Sequence, residues 1–397
     1  MQCRKLANGV YLSRQSLMKK LSGRAARGKC LQSSPLSPTI AGTMLLVTFH
    51  GGSGGTNNMY GYSTKDGTPQ NPETEAGLAG MPKGVNLDQL RAMATYKGNL
   101  YVVNGSEANP YVFVFGPPKK GPTFDYLDTV IGAGQSIMHP FGITFDPSSP
   151  TCYVSNQDSN VVAQVNLTAK HGTVTGSLGK GCQSKFLSDK YPRPDAFLDG
   201  TFVASQIGEL KGVKNPIPPD VSEKHGGLGV KGQNKPLEPS NSVRGVAIAN
   251  GILFVCDEVD SRINMYELDG GKFLGSGSLK GSPTHLAIDK NGLWVSADGV
   301  LYWSALPASV TGASLSFQSV VIVLPANNKL GGISFDNSDN VYVIFQDGTH
   351  TKGTGSISKF AVTSGSPPTL SNGETFATTG NDTPEFCLWV SDSNWPS

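Results

Sequence analysis

Two histidines and a glutamate stand at the start of three separate apolar runs, and side chains of these types can hold a metal ion. His139 precedes Pro-Phe-Gly-Ile-Thr-Phe, His285 opens His-Leu-Ala-Ile, and Glu385 lies in Pro-Glu-Phe-Cys-Leu-Trp-Val. Neutral imidazoles and carboxylates are usual ligands of Zn²⁺, whereas carboxylates with amide oxygens suit Ca²⁺. If the fold brings the three runs together, the sequence predicts a divalent-metal site at these residues, for Zn²⁺ or Ca²⁺.

Other polar residues occupy corresponding places in the chain and indicate a ligand site. Arg244 lies at the start of another apolar run, as do Arg91 and Lys329. A second group ends the runs that follow: His50, Asn104, Asn156, Asp257, Asp298 and Asp347. The predicted ligand-binding residues are these: Arg244, Asn156, Asp257, Asp298 and His50. For each residue alone, a solvated side chain at the rim of the channel is the favoured explanation, so the hypothesis depends on their convergence in one concavity. No catalytic residue can be assigned.

Short strands that recur as a four-strand unit would position these residues. The clearest copy covers residues 243–274, where three apolar runs and a weaker fourth are separated by Asn250-Gly251, by 257–261 and by Gly270-Gly271. Each run is too short for a helix and is bounded by turn-forming residues, which predicts an antiparallel meander. The Asn-Gly step supplies the positive backbone dihedrals of a tight hairpin.

The first two strands of this unit recur elsewhere in the chain. The further copies are Phe141–Asp146 with Cys152–Asn156, His285–Asp289 with Leu293–Ser296, Gly332–Asp336 with Val341–Ile344, and a looser copy at Leu90–Val103. Their spacing is typical of one propeller blade per copy, apart from one long gap. A ring of such sheets buries the apolar face that a single meander leaves exposed. The sequence therefore predicts an all-β fold, a six-bladed β-propeller.

The number of blades depends on how the two ends of the chain meet. Pro384–Val390 resembles a first strand, whereas Met44–Phe49 and Met59–Tyr62 resemble second and third strands that lack a first. Together they would complete one blade, so we expect a ring closed by N- and C-terminal strands that share a blade. A seventh blade could be contributed by Asp195–Ile207.

Composition divides the chain into a leader and one propeller domain. Residues 1–40 are basic, and no acidic residue precedes Asp66. This pattern fits an organellar presequence, a basic arm or an unstructured leader, and it leaves extracellular, secretory and organellar locations open. The propeller is predicted over 41–397. It carries a Gly-, Pro- and Lys-rich insertion at about 180–240 on the ligand face, where it would be a lid or a surface loop.

Charge and apolar patterning exclude two classes of partner. The net charge of the 397 residues is +2, which gives no electrostatic case for nucleic acid. No apolar run is long enough to span a bilayer, so no transmembrane segment is predicted. The six cysteines contain no C-x-x-C pair, which excludes a zinc knuckle, and Cys152 with Cys182 is a candidate disulfide.

Two segments, His139–Asp146 and Leu253–Tyr266, resemble NHL repeats. The resemblance implies a six-bladed propeller of a superfamily that includes peptide-amidating lyases, gluconolactonase-like metal hydrolases and many non-catalytic binding proteins. In gluconolactonase-like enzymes a Glu, an Asn and an Asp bind a divalent metal. The resemblance would give those parts to Glu385, to Asn156, and to Asp257 or Asp298.

Two functional hypotheses follow, and whether the protein is an enzyme stays open between them. The first is an NHL-like propeller that binds a protein partner or a small ligand through its lidded channel face. The alternative is a divalent-metal-dependent hydrolase or lyase with His139, His285 and Glu385 as ligands and Arg244 orienting an anionic substrate. We favour the first, because no complete catalytic set can be assigned.

Overall fold

A computed structural model describes most of the compact unit Pro38–Ser397. The described residues are 43–50, 59–70, 77–83, 85, 87–106, 110–118, 123–131, 139–156, 161–167, 184–187, 198–199, 243–258, 260–268, 271–290, 292–322, 328–347, 355–371, 373–379 and 383–395. The predictions for the leader at 1–40 and for a lid or surface loop at about 180–240 fall outside them, apart from two short strands of the second segment.

The described residues form β-strands and a single 3-10 turn, Asp392–Asn394, without an α-helix. The strands in chain order are β1 (Met44–Phe49), β2 (Met59–Ser63), β3 (Leu78–Ala79), β4 (Leu90–Tyr96), β5 (Asn99–Asn104), β6 (Tyr111–Phe115), β7 (Phe124–Ile131), β8 (Pro140–Phe145), β9 (Thr151–Asn156), β10 (Val161–Asn166), β11 (Ser184–Leu187), β12 (Leu198–Asp199), β13 (Val243–Ala249), β14 (Ile252–Asp257), β15 (Arg262–Glu267), β16 (Phe273–Ser278), β17 (Pro283–Ile288), β18 (Leu293–Ala297), β19 (Val300–Ser304), β20 (Gln318–Val320), β21 (Asn328–Phe335), β22 (Asn340–Asp347), β23 (Ser356–Thr363), β24 (Thr369–Leu370), β25 (Glu374–Thr378) and β26 (Pro384–Val390).

These strands form six sheets, each of them one blade, which confirms the predicted six-bladed β-propeller. We number the blades along the chain: blade 1 holds β3–β7, blade 2 holds β8–β12, blade 3 holds β13–β16, blade 4 holds β17–β20, blade 5 holds β21–β25, and blade 6 holds β26, β1 and β2. The strand β12 is the described part of 195–207. It pairs with β11 at the edge of blade 2 and so adds to that blade rather than starting a seventh.

Blade 6 joins the two ends of the described chain. The strand β26 pairs antiparallel with β1, from Met44 opposite Val390 to Phe49 opposite Pro384, and β1 then pairs with β2. The predicted closure is therefore confirmed. The first strands of the blades (β4, β8, β13, β17, β21 and β26) contact one another in a closed ring, and they surround the central channel.

Every first strand contains a β-bulge close to its beginning. A bulge inserts an extra residue and re-aims a side chain. The first bulged positions of blades 1 to 6 are Arg91, Phe141, Arg244, Thr284, Gly331 and Glu385. The residues that follow them are Ala92, Gly142, Gly245, His285, Gly332 and Phe386. One repeated irregularity thus turns the side chains of five of these positions towards the channel, whereas Gly331 carries none.

Close contact between neighbouring blades explains the small residues after the bulges. A Cβ on Gly245 would lie 2.8 Å from the backbone nitrogen of Leu286 and 2.9 Å from the carbonyl oxygen of Thr284, both in the next blade. Hydroxyls on second strands also reach the bulge of a neighbouring blade. Ser296 donates to the Gly331 carbonyl at 2.9 Å, and Thr48 donates to the Arg91 carbonyl at 2.7 Å. These hydrogen bonds fix the bulges relative to one another.

Apolar side chains between blades form the core. One cluster joins blades 1 and 2 through valines such as Val103 and Val154, and another joins blades 3 and 4 through Phe254 and Val295. Cys152 is buried, and its candidate disulfide partner Cys182 lies outside the described residues. In the described part of the chain, no helix has the length and apolar character needed to cross a membrane.

Candidate functional site

A cavity of about 300 Å³ opens inside the ring of first strands. Most of the residues predicted from the sequence to surround the channel line it: His50, Arg91, His139, Arg244, His285, Asp298, Lys329 and Glu385. They arrive from all six blades because equivalent positions of a ring of repeated sheets face the same axis. The cavity thus brings together most of the side chains on whose convergence the ligand-site hypothesis depends.

Two of the predicted ligand-binding residues, Asn156 and Asp257, do not line this cavity. Both are buried, and both end second strands, one strand further from the axis. The Asn156 amide donates to the Val154 carbonyl at 3.1 Å. The Asp257 carboxylate accepts from Arg262 Nε at 3.0 Å and from the backbone nitrogen of Asp260. Their placement supports a structural role, in which they order the strand ends of blades 2 and 3.

The floor of the cavity holds a buried ion pair between blades 1 and 6. Arg91 Nη1 lies 3.0 Å from Glu385 Oε1, and each side chain is only 7% exposed. The second carboxylate oxygen, Oε2, accepts from Gln346 Nε2 at 2.9 Å. Burial alone would raise the pKa of Glu385, but attraction to Arg91, then to His285, outweighs it and lowers the pKa to about 2. Glu385 is therefore ionised and held by groups of three blades.

His285 lies beside this pair and is neutral near pH 7. Its Nε2 is 3.8 Å from Glu385 Oε1, and its ring packs 5.2 Å from that of Phe141 and 6.0 Å from that of Phe386. Burial lowers the pKa of His285 to about 4, and the charges of Arg91 and Arg244 act in the same direction against the pull of Glu385. Most equivalent positions in the other blades carry Gly or Ala, so His285 and Phe386 are the two large side chains at this position of the repeat.

Arg244 forms a second, more accessible ion pair on the wall of the cavity. Its Nε and Nη2 lie 2.7 and 2.6 Å from the same atom, Oε2 of Glu258. The guanidinium carbon also stands 5.1 Å from the centre of the Phe141 ring, and that of Arg91 stands 5.3 Å from the same ring. Such cation–π contacts hold planar guanidinium groups in place. The site is thus built from two arginines that share one aromatic ring.

The arrangement does not fit a resident metal ion. Among the described residues, no group of three or more His, Cys, Asp or Glu side chains is placed to hold one. The carboxylate of Glu385 is engaged on both oxygens by Arg91 and Gln346, and a guanidinium this close opposes a cation. The proposal that His139, His285 and Glu385 bind Zn²⁺ or Ca²⁺ stays a prediction that this geometry does not support.

Sequence reasoning missed six residues of the cavity wall: Phe141, Glu258, Ser282, Thr284, Leu330 and Gln346. Two of them carried a usable signal, because Phe141 and Thr284 align with Arg91 and Arg244 in the repeat and so occupy the same bulged position. A search for titratable groups passes over such residues. Glu258 and Gln346 carried none, since the strand pattern does not show which of two adjacent polar residues faces the channel.

Comparisons with known proteins agree with the fold. A protein from Lactobacillus plantarum is similar in structure, with a TM-score of 0.51 at 12% identity, over 88% of this chain and 99% of that one. A chain from a nidogen/laminin complex gives 0.50 at 14% identity, over 88% and 99%. At these identities the likeness concerns the fold alone. No family model and no curated protein matches the sequence, so the NHL-repeat resemblance stays a prediction.

Proposed function

We propose that this propeller is a binding protein that takes a small polar ligand into its channel-face cavity and does not transform it. The observation that carries the proposal is the convergence of bulged side chains from different blades on one concavity. Arg91, Phe141, Arg244 and Glu385 are brought there by the same backbone device. Concave sites with a few converging polar groups are the places where small molecules bind.

The charges of the cavity wall support a polar ligand. Three cations, Arg91, Arg244 and Lys329, stand beside the three carboxylates of Glu258, Asp298 and Glu385. Buried ion pairs are costly to assemble, and such a site holds its polar groups oriented before a ligand arrives. A ligand with both hydrogen-bond donors and acceptors would match this wall better than a wholly apolar one.

The protonation states of the buried groups argue against acid–base catalysis. A general acid or base works best with a pKa near the operating pH. The pKa of His285 is lowered to about 4, and that of Glu385 to about 2. The Thr284 hydroxyl approaches the Ser296 carbonyl at 3.4 Å rather than a base. These groups are therefore suited to holding a molecule in place.

A cavity-filling variant tests the proposal independently of ligand charge. In Thr284→Phe, a phenyl group enters the channel from the bulged position of blade 4, which corresponds to the position of Phe141 in blade 2. We would titrate glucose, glycine, lactate and benzamide into the protein and follow binding by ligand-observed NMR. At least one should bind, Thr284→Phe should abolish that binding, and the exposed control Thr363→Phe should retain it. Binding that survives in Thr284→Phe would move the ligand site elsewhere.

The alternatives have their own outcomes. Stoichiometric metal in the purified protein, lost in His285→Ala, would favour the divalent-metal hydrolase or lyase. Conversion of a bound probe would favour an enzyme of another kind. A protein partner on the channel face remains the other form of the binding hypothesis. This form of the hypothesis would be favoured by two results together. Every small probe would fail to bind, and the wild type and Thr284→Phe would both capture the same protein.

A further inference from the structure

We infer that the ligand carries a carboxylate, and that Arg244 binds it through the edge of the guanidinium that Glu258 does not use. This inference depends on the proposed function and names the chemical class of its ligand. A guanidinium carries five N–H donors in a planar fork. Arg244 directs Nε and Nη2 at one oxygen of Glu258.

The end of this guanidinium formed by Nη1 and the second N–H of Nη2 is therefore left for a ligand. Within the described part of the chain, the other terminal nitrogen of Arg244 donates no hydrogen bond to a protein acceptor. The side chain is 21% exposed, lines the cavity and is kept in place by the ring of Phe141. A planar edge with two parallel N–H groups matches the two oxygens of a carboxylate. Arg244 is thus oriented for bidentate recognition before any ligand arrives.

Comparison with the other cations of the cavity shows why Arg244 is the residue suited to recognise a carboxylate. Arg91 is three times less exposed, and its guanidinium is committed to Glu385 at 3.0 Å. Lys329 is exposed, and its flexible ammonium provides attraction without a defined geometry. Among the cations on the wall, Arg244 therefore combines access to the cavity with a fixed orientation. It is the residue that would distinguish a carboxylate from a neutral group of the same shape.

Glu258 sets the strength of this recognition. Its carboxylate neutralises Arg244 in the free protein and lies close to where the ligand's carboxylate would bind, so the two like charges repel. In Glu258→Gln the amide oxygen still accepts from Arg244 Nε, so the orientation is kept while the charge is removed. Carboxylate binding should then tighten on the order of 3-fold at low salt, and the gain should shrink as salt is added.

The volume of the site favours a small ligand, and its available donors favour a carboxylate over phosphate. A volume of about 300 Å³ lies at the small end of ligand cavities. A phosphate dianion would need more donors than one guanidinium edge, and the second guanidinium is already bound to Glu385. We therefore expect small organic acids to bind more tightly than inorganic phosphate.

The experiment compares each acid with its neutral amide on the intact protein. Lactate against lactamide, benzoate against benzamide, and inorganic phosphate are titrated at low ionic strength by ligand-observed NMR. At least one carboxylate should bind roughly 10-fold or more tightly than its amide. Arg244→Gln should remove that preference, and Arg244→Lys should retain part of it. The control Lys290→Gln, on an exposed lysine outside the cavity wall, should not change it. Thermal unfolding shows that each variant is folded.

The outcomes separate the inference from the proposed function. If amides bind as tightly as acids, or Arg244→Gln leaves the preference intact, the inference is wrong while the cavity remains a binding site. Tighter binding of phosphate than of every acid also overturns it. Weaker carboxylate binding in Glu258→Gln would contradict the assigned role of Glu258. If no probe binds to the wild type, the proposed function fails and the inference with it.

Discussion

Replacing Glu385 by Gln should be the most destabilising single change of charge in the cavity. The carboxylate accepts from Arg91 on one oxygen and from Gln346 on the other, whereas an amide offers one acceptor and one donor. One donor therefore loses its acceptor, and Arg91 loses the charge of Glu385 in a place that is 7% exposed. Breaking a buried ion pair by removing one partner costs about 3–5 kcal/mol. We expect the free energy of unfolding to fall by about 3 kcal/mol, since the amide oxygen still accepts one hydrogen bond.

An exposed ion pair provides the matched control. Lys290 and Asp339 pair at the surface, with side chains 65% and 54% exposed, and Asp339→Asn should cost less than about 1 kcal/mol. Asp339 has a positive φ of 58°, which asparagine also tolerates, so the backbone should not be disturbed. Urea unfolding with unchanged denaturant dependence would compare the two variants. If Glu385→Gln lowers the free energy of unfolding no more than Asp339→Asn does, the buried ion pair does not stabilise the fold as reasoned from its burial.

Three further predictions concern protonation and blade contacts. The pKa of His285 is about 4 in the folded protein against 6.5 unfolded, so protonation favours the unfolded chain. Stability should therefore fall by ~3 kcal/mol from pH 6.5 to pH 4, with a shallower fall in His285→Gln, as measured by urea unfolding at each pH. Gly245→Ala should lower the free energy of unfolding by roughly 1–3 kcal/mol, because its Cβ would meet backbone atoms of the next blade. Gly116→Ala is the control, since its Cβ would make only ordinary contacts, and equal shifts in melting temperature for the two variants would contradict the prediction. Ser296→Ala removes the donor to the buried Gly331 carbonyl and should lower the free energy of unfolding by about 1–3 kcal/mol, as measured by urea unfolding. An unchanged free energy of unfolding would show that the carbonyl needs no partner.

The fold was predictable because each blade repeats one strand pattern and one turn chemistry. Asn250-Gly251 has positive φ angles of 51° and 74°, as the hairpin between β13 and β14 requires. The closing blade was also predictable, since Pro384–Val390 lacks a second strand and Met44–Phe49 lacks a first. Regular alternation and unpaired runs are properties of the chain itself, so they can be found without coordinates.

The cavity was predictable only where position along the strand decides direction. Arg244 and Glu385 line the cavity, because the beginnings of first strands face the axis. Asn156 and Asp257 were placed on the ligand wall although the strand in front of them separates them from the channel. The bulge beside each of them could not be foreseen, because a single extra residue depends on register with the neighbouring strand and leaves no mark in hydrophobic alternation.

The strand β26 both closes the propeller and contributes the buried carboxylate of the cavity. The segment Pro384–Val390 pairs with β1, and Glu385 within it contacts Arg91 and Gln346 from the two adjoining blades. A chain shortened before this segment would lose closure and recognition in a single event. Truncated copies should therefore not persist as open rings that still capture ligand, so ligand binding requires that β26 is present and paired with β1.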